Sequence, residues 1–246
     1  MSPQSATARL TAASPSMPCT RCEVRHRAVC AALAPHELER LNRIVVEVRL
    51  EPGQPVFYEG DPADYVFNVT QGVIRLSKTL PDGRRQVTGF AFPADFLGFA
   101  FRDAYGFTAE AIVPATLCRF PRRRLIALFD EFPQLERRLL AVASNELEAA
   151  QEQMLLLGRK SARERLASFL LAMSRRAEER GEPASPVELP MGRPDIADFL
   201  GLTTETVSRT FTRLTRDGLI EPVSPTLQHL PDREALAALA TGGAEE

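Results

Sequence analysis

From Phe132 to Leu157 the chain contains no glycine, and its only proline there, Pro133, stands where the first turn of a helix tolerates one. Within this stretch Leu140, Ala143, Leu147, Ala150, Met154 and Leu157 are spaced in alternating steps of three and four. That is the a/d spacing of a heptad seam. Glu146, Glu148 and Glu152 flank it and give the helix a wet side. The spacing alone suits either a helix lying on its own domain or one paired with a second copy. In both cases a long helix divides the chain, and the segments on its two sides must fold differently.

From Ile44 to Phe120 the segments are short, apolar and β-branched, broken at Pro52-Gly53, Gly60-Asp61-Pro62, Gln71-Gly72, Pro81-Asp82-Gly83 and Gly106. Many short strands with turn residues between them predict an antiparallel roll or barrel. Tyr65–Thr70 and Val73–Lys78 bracket Gln71-Gly72 as in a hairpin. After the long helix, Ser161 to Arg180 is amphipathic, with Leu166, Phe169, Leu170 and Met173 on one face. Gly181 to Pro186 breaks it. Two short helices come next around Gly201, then a β wing from Gly218–Ile220 and Leu227–Leu230 across Ser224-Pro225, and a frayed end.

Four cysteines add a chemical constraint. Three stand together as Cys19-x2-Cys22-x7-Cys30, and Cys118 lies far downstream in a strand-like segment. Sulfurs gathered from a flexible N-terminal arm and a distant rigid element are what a metal or iron–sulfur site requires. Zinc could use the same four sulfurs, although this is not a usual zinc-finger spacing. They could also be a core cysteine and three redox-sensitive thiols.

Other classes are less favoured. No run of about 18 apolar residues exists, so no spanning helix is expected. Met1 to Pro18 is rich in Ser, Thr, Ala and Pro without the apolar core of a secretory signal, and reads as a disordered tail. A cytoplasmic, reducing compartment is implied, with no structural disulfides expected. There is no phosphate-cradling glycine loop, nucleophile elbow or His-Glu-x-x-His motif, and Cys19-x2-Cys22 lacks the βαβ setting of a thiol catalyst. The chain is not expected to be an enzyme. A haem site has only His26, His36 and His229 to draw on, none of them in the roll.

The formal net charge is −2, yet the basic residues cluster towards the C-terminus. Arg209, Arg213 and Arg216 face only Glu205 between Thr203 and Arg216. Pro194 suits the first turn of a short helix, Gly201 the tight turn after it, and Thr203 the cap of the next. In that second helix Val207, Phe211 and Leu214 share one face, while Glu205, Ser208 and Arg209 share the opposite one near the N-terminus. That end of a recognition helix reaches base edges in the major groove. Arg209 can fork onto guanine, Glu205 can accept from a cytosine amino group, and Ser208 can bond either way.

Leu200-Gly-Leu-Thr-Thr-Glu-Thr-Val-Ser-Arg209 closely resembles the recognition motif of the FNR branch of the CRP/FNR transcription regulators. The N-terminal cysteines, Gly89-Phe90 with Phe96-Leu-Gly98, and Met154-Leu-Leu-Leu157 fit the same branch, over about Cys19 to Asp232. The resemblance implies an α+β fold. An N-terminal antiparallel β-roll of the cyclic-nucleotide-binding kind would precede a long dimerisation helix and a C-terminal winged helix-turn-helix. The expected boundaries are a tail at 1–18, cysteine arm and roll at 19–120, dimerisation helix at 121–160 and DNA-binding domain at 161–246.

It further implies an oxygen-labile 4Fe–4S cluster held by Cys19, Cys22, Cys30 and Cys118. The −2 charge of such a cluster with its thiolates would be offset by Arg21, Arg25, His26 and Arg27. A homodimer would bind double-stranded DNA at a two-fold TTGAT-type operator to control anaerobic or microaerobic genes, with RNA polymerase as a partner and activator as its class. Glu205, Ser208 and Arg209 would read each half-site, with Thr203 and Arg213 beside them. Leu140, Ala143, Leu147, Ala150, Met154 and Leu157 would be the dimer seam. The alternative is a helix-turn-helix redox regulator with structural zinc or bare thiols.

Three departures from the family pattern stand out. Where the cyclic-nucleotide branch places a glutamate and an Arg-Ser pair, this chain has Phe99 and Phe107-Thr108, so no cyclic nucleotide effector is expected. No charged residue interrupts the seam, Ala150 included, which favours dimerisation even without a cluster. The Asp82-Gly83-Arg84-Arg85 turn, where relatives can touch RNA polymerase, is basic.

Overall fold

The structure, a computed structural model, describes residues 19–99 and 103–242; the tail expected at 1–18 lies outside them. The chain divides into two compact units, residues 1–147 and 148–246.

Among the described residues the first unit has eight strands: β1 (Val46–Leu50), β2 (Pro55–Phe57), β3 (Tyr65–Gln71), β4 (Ile74–Thr79), β5 (Arg85–Ala91), β6 (Phe96–Leu97), β7 (Thr108–Ala111) and β8 (Ala115–Pro121). They form two four-stranded antiparallel sheets, ordered β1-β8-β3-β6 and β2-β7-β4-β5. Alternate residues turn inward, so Val48, Leu50, Phe67, Val69 and Leu117 meet Val56, Phe57 and Ile74 in one core. This is the expected roll.

One local expectation is corrected. β3 and β4 are not hairpin partners but belong to different sheets. Both carry an apolar inner face, and only two facing sheets bury both against each other. Gly72 makes the crossing at φ +80°, where an added Cβ would lie 2.4 Å from the Pro114 carbonyl oxygen and 2.7 Å from the Ala115 Cα. Gly72→Ala is therefore expected to destabilise the roll by about 3 kcal/mol or more. Gly53→Ala, equally left-handed at φ +81° but with nothing within 4 Å, should cost about 1 kcal/mol. Urea unfolding monitored by circular dichroism would compare the two. The hairpin that does form is β4–β5, across Pro81-Asp82-Gly83. In that turn the Arg84 guanidinium lies 2.8 Å from the Asp82 carboxylate, which offsets its charge.

The outer face of the first sheet is covered by a second core. Val66 and Phe120 meet residues of the N-terminal arm, of α1 (Leu38–Asn42), of α2 (Arg122–Glu131) and of the first turns of α3 (Pro133–Arg159). The segment 121–160 thus holds two helices. Phe132, placed before a proline, takes φ −135° and ψ 76° and ends α2.

The second unit takes the C-terminal half of α3 and adds α4 (Ala162–Glu179), β9 (Val187–Glu188), α5 (Arg193–Leu200), α6 (Thr204–Arg216), β10 (Glu221–Pro222), β11 (Leu227–His229) and α7 (Arg233–Ala240). A capping box between Ser161 and Glu164 starts α4, and Leu166, Phe169, Leu170 and Met173 are buried as expected. The wing is a three-stranded antiparallel sheet, β10-β11-β9. Its first strand begins at Glu221, later than Gly218–Ile220, because Gly218 ends the helix at φ +73° and Ile220 is drawn fully into the core. The frayed end expected of the last residues falls on 243–246, outside the described residues. Asp232 caps α7, accepting from the Ala235 amide at 2.9 Å, and Leu236 and Leu239 are buried beside α4. Among the described residues no helix is long and apolar enough to cross a membrane.

Candidate functional site

The cysteine arm is packed rather than loose. Cys19 and Cys30 sit in short 3-10 turns, Cys19–Arg21 and Val29–Ala32. The Cys19 amide donates to the Asn42 side-chain oxygen at 2.9 Å, and the Arg25 guanidinium donates to the Leu33 carbonyl at 3.1 Å. Val24, Ala28, Val29 and Leu33 are buried. Cys118 pairs across the ladders with Glu47 on β1 and Asn68 on β3. It packs with the second core, so it faces the arm and not the roll interior.

All four cysteines are free thiols, and Cys19, Cys30 and Cys118 share one core. Burial, then the nearby Cys22, pushes Cys19 up to about 11. Burial, then Cys19 and Cys22, pushes Cys30 up to about 12. Cys118 is raised too, first by burial and then by Cys19, Cys22, Cys30 and Glu47. At neutral pH these three are protonated, and any ligation must expel their protons. Arg25 opposes the shift at both Cys19 and Cys30. Its Nε is buried without a hydrogen-bond partner, as are Nε and Nη1 of Arg27. Cys22 is less buried and borders a surface depression with Arg25, His26 and Ala31. Among the described residues no three His, Cys, Asp or Glu side chains stand close enough to share one metal ion.

Sequence reasoning missed how this site meets the long helix. Leu135 and Leu139 of α3 are buried in the same core as Cys19 and Cys30. Arg138 donates to the Arg27 carbonyl at 2.9 Å, and Gln134 donates to Glu37 at 3.2 Å. The i, i+4 pair Leu135–Leu139 was the available signal. It lies apart from the heptad seam, whose Leu140, Ala143, Leu147, Ala150 and Met154 are exposed or partly exposed in the single chain and whose Leu157 is half-buried. Leu140, Leu147 and Met154 are 68%, 61% and 65% exposed.

The DNA-reading pair forms as the sequence implied. Gly201 ends α5 in the left-handed region at φ +62°. Thr203 caps α6, its hydroxyl accepting from the Thr206 amide at 3.1 Å, so it serves the reader by fixing the helix start. Val207, Phe211 and Leu214 are buried; Glu205, Ser208, Arg209 and Arg213 are exposed. Glu205 and Arg209 pair loosely at 3.5 Å, each more than two-thirds exposed, which leaves both free to exchange partners. The Ser208 hydroxyl donates back to the Thr204 carbonyl at 2.8 Å. Arg193 was missed. Half-buried and stacked on the Phe211 ring, it lines a groove with Ser208, Thr212 and Arg216 between the recognition helix and the wing. Its place before Pro194 at a helix start was the only hint.

Residues 164–239 match the family model for the Crp-like helix-turn-helix domain, and residues 47–132 match that for the cyclic nucleotide-binding domain. The chain is 47% identical over 221 residues to the transcriptional activatory protein AadR of Rhodopseudomonas palustris, covering 89% of this chain and 92% of that one. It is 45% identical to the nitrogen fixation regulation protein FixK of Bradyrhizobium diazoefficiens, covering 89% and 94%. The chain belongs to the Crp/FNR family of transcription regulators, in its FNR-type branch. Among solved structures, that of FixK2 from Bradyrhizobium japonicum superposes with a TM-score of 0.75 at 37% identity, covering 80% of this chain and 97% of that one. The Crp/FNR architecture of sheet domain, long helix and helix-turn-helix is therefore shared.

A cluster of aromatic rings stands within the core of the roll. Phe57 stacks on Tyr105 with ring centroids 3.7 Å apart, and Phe67 and Phe107 close around Phe57 at 5.8 and 5.5 Å. The Tyr105 hydroxyl donates to the Tyr65 carbonyl at 2.7 Å. Thr108 is committed as well, accepting from the Glu59 amide at 3.1 Å.

Proposed function

We propose that this Crp/FNR regulator senses oxygen through a 4Fe–4S cluster held by Cys19, Cys22, Cys30 and Cys118, and that as a homodimer it activates anaerobic or microaerobic genes from a two-fold TTGAT-type operator. The observation that carries the reading is the convergence of four free thiols, three from the packed arm and one from the outer face of β8, beside an arginine with an unsatisfied buried nitrogen. The thiols of Cys19, Cys22, Cys30 and Cys118 feel one another's charge, which supports a shared sulfur-ligated group. Bare redox thiols fit poorly, because burial keeps Cys19, Cys30 and Cys118 protonated and slow to react. Arg25 supplies positive charge where an anionic group would bind.

A bound iron–sulfur cluster would supply an oxygen-labile tie between arm and sheet. The chain's own contacts carry the consequence. The arm packs on Leu135 and Leu139, and Arg138 holds the Arg27 carbonyl, so a loosened arm unseats the start of α3. The same helix bears the seam, and two half-sites must be gripped together for tight binding. Phe107 and Thr108, standing where the cyclic-nucleotide branch has an Arg-Ser pair and engaged with Phe57 and the Glu59 amide, speak against a cyclic nucleotide effector. AadR is named a transcriptional activatory protein, and activation by this chain would run through contact with RNA polymerase, in the cytoplasm.

Protein purified without oxygen should be brown, with about four iron and four sulfide atoms per chain, and should lose operator binding on exposure to air. A colourless zinc protein, or an iron-free one with unchanged binding, would overturn the reading. At the operator, Arg209→Ala should remove about 1–3 kcal/mol of discrimination at one base pair per half-site. Arg213→Ala should weaken binding evenly across sequences and flatten its salt dependence. Competition anisotropy over single-base operator variants separates the two.

A further inference from the structure

One guanidinium in the second unit serves two helix ends at once. Arg165, in the first turn of α4, donates through Nε to the Lys160 carbonyl at 2.8 Å and through Nη2 to the Leu157 carbonyl at 2.9 Å. Through Nη1 it donates to the Leu200 carbonyl at 2.8 Å. The first two oxygens lie at the C-terminal end of α3, and the third closes α5. Such carbonyls lack helical partners and carry the negative end of the helix dipole, so a cation between two of them is well placed. The planar fork of arginine reaches all three; a lysine ammonium on its flexible stem does not.

The junction is close on every side. Gln153 of α3 donates to the Phe199 carbonyl at 2.7 Å, a direct bond from the long helix to the end of α5. A Cβ on Gly201 would stand 3.1 Å from Leu157 Cδ2 and 3.5 Å from Arg165 Nη1, so α3 and the turn before the recognition helix touch with little slack. The cap Thr203 stands just beyond that turn. The joint therefore fixes the direction in which α6 leaves the long helix.

We propose that Arg165 is a positioning residue for operator recognition, seconded by Gln153. By holding the C-terminal carbonyls of α3 and α5 together, it sets the angle between the dimer seam and the recognition helix, and so the half-site separation that the dimer accepts. The inference rests on the homodimer reading. Half-sites bound by paired readers lie about one helical turn apart, and a small rotation at the joint shifts each reader along its groove.

The test uses full-length protein, prepared without oxygen, on a series of operators whose two half-sites are moved apart or together by one and two base pairs. An operator with one intact half-site is included. Wild type should bind the native spacing much more tightly than any other. Arg165→Lys should lose about tenfold in affinity at the native spacing, the scale of one or two charge-assisted hydrogen bonds, while changing less than about threefold at the altered spacings. The profile would flatten. A merely destabilised domain would lower all spacings alike, and that result would overturn the inference. So would an unchanged profile in Arg165→Lys. Gln153→Leu, which leaves Arg165 in place, should flatten the profile in the same direction and less, and guards against misfolding of the first variant. A wild type that binds one half-site as tightly as two would sink the dimer reading itself, and this inference with it.

Discussion

Replacing Cys118 with serine should strip iron and sulfide from anaerobically prepared protein and lower its operator affinity by roughly 10–100-fold, the range of coupling between linked sites. Cys118 is the one proposed ligand outside the arm, so losing it cuts the tie between arm and sheet while the three arm cysteines stay in place. Serine is a mild change at this position. The side chain stands on the outer face of β8 opposite Asn68, whose buried Oδ1 has no partner and can accept from a hydroxyl. The roll core, on the other face, is untouched. Circular dichroism should therefore match wild type while metal content and promoter occupancy fall. If both stayed at wild-type levels, the four-thiol site would not be the sensor. A parallel Cys22→Ser variant should show the same losses, although Cys22 lies at the more open edge of the site.

Much of this arrangement could be read from residue order because it depends on local chemistry. The cap at Thr203, the turn at Gly201 and the split between Val207-Phe211-Leu214 and Glu205-Ser208-Arg209 need only helix geometry and polarity, and they form as written. The alternation in the strands likewise predicts two-faced sheets. Which strands pair was not legible. A Gln-Gly corner looks the same whether the chain returns beside itself or crosses to another sheet, and the deciding fact, a close approach of Gly72 to Pro114 and Ala115, is long-range. The wing start was misplaced and α7 was not foreseen, for a related reason. Ile220 reads as a strand residue by propensity but is drawn into the core, and the capping power of Asp232 was overlooked.

The cysteines divide in the same way. Their number and spacing pointed to a shared sulfur site, but nothing in the spacing told that the arm would be anchored by Asn42 and by the start of α3. That anchoring changes the physical picture of signalling. A loose arm could report only through restored order, whereas a packed arm reports through Leu135, Leu139 and Arg138, side chains on the helix that carries the seam. Arg165 is the matching element at the far end of that helix. In the sequence it is one basic residue among several between Arg159 and Arg180, and only its three carbonyl partners distinguish it.

Leu147→Glu should abolish dimerisation. The exposed seam alternates large and small, with Leu140, Leu147 and Met154 at one heptad position and Ala143 and Ala150 at the other, so that a large side chain of one helix can seat over a small one of its partner. Leu147 lies at its middle and is 61% exposed in the single chain. Glutamate there removes two apolar side chains from the interface, about 3–6 kcal/mol for the pair, and sets like charges in their place. The dissociation constant should rise more than about a hundredfold. Sedimentation should then show monomer, and full-operator affinity should fall to that of a single half-site. Wild type should behave oppositely even after cluster removal. With no charge at any a or d position between Leu140 and Leu157, nothing in the seam itself drives the helices apart, so cluster-free wild type should retain a dimer fraction at micromolar concentration. Finding only monomer there would mean that arm packing on Leu135 and Leu139 supplies most of the dimer's stability. A Leu147→Glu protein that stayed dimeric would show that the subunits meet through some other face.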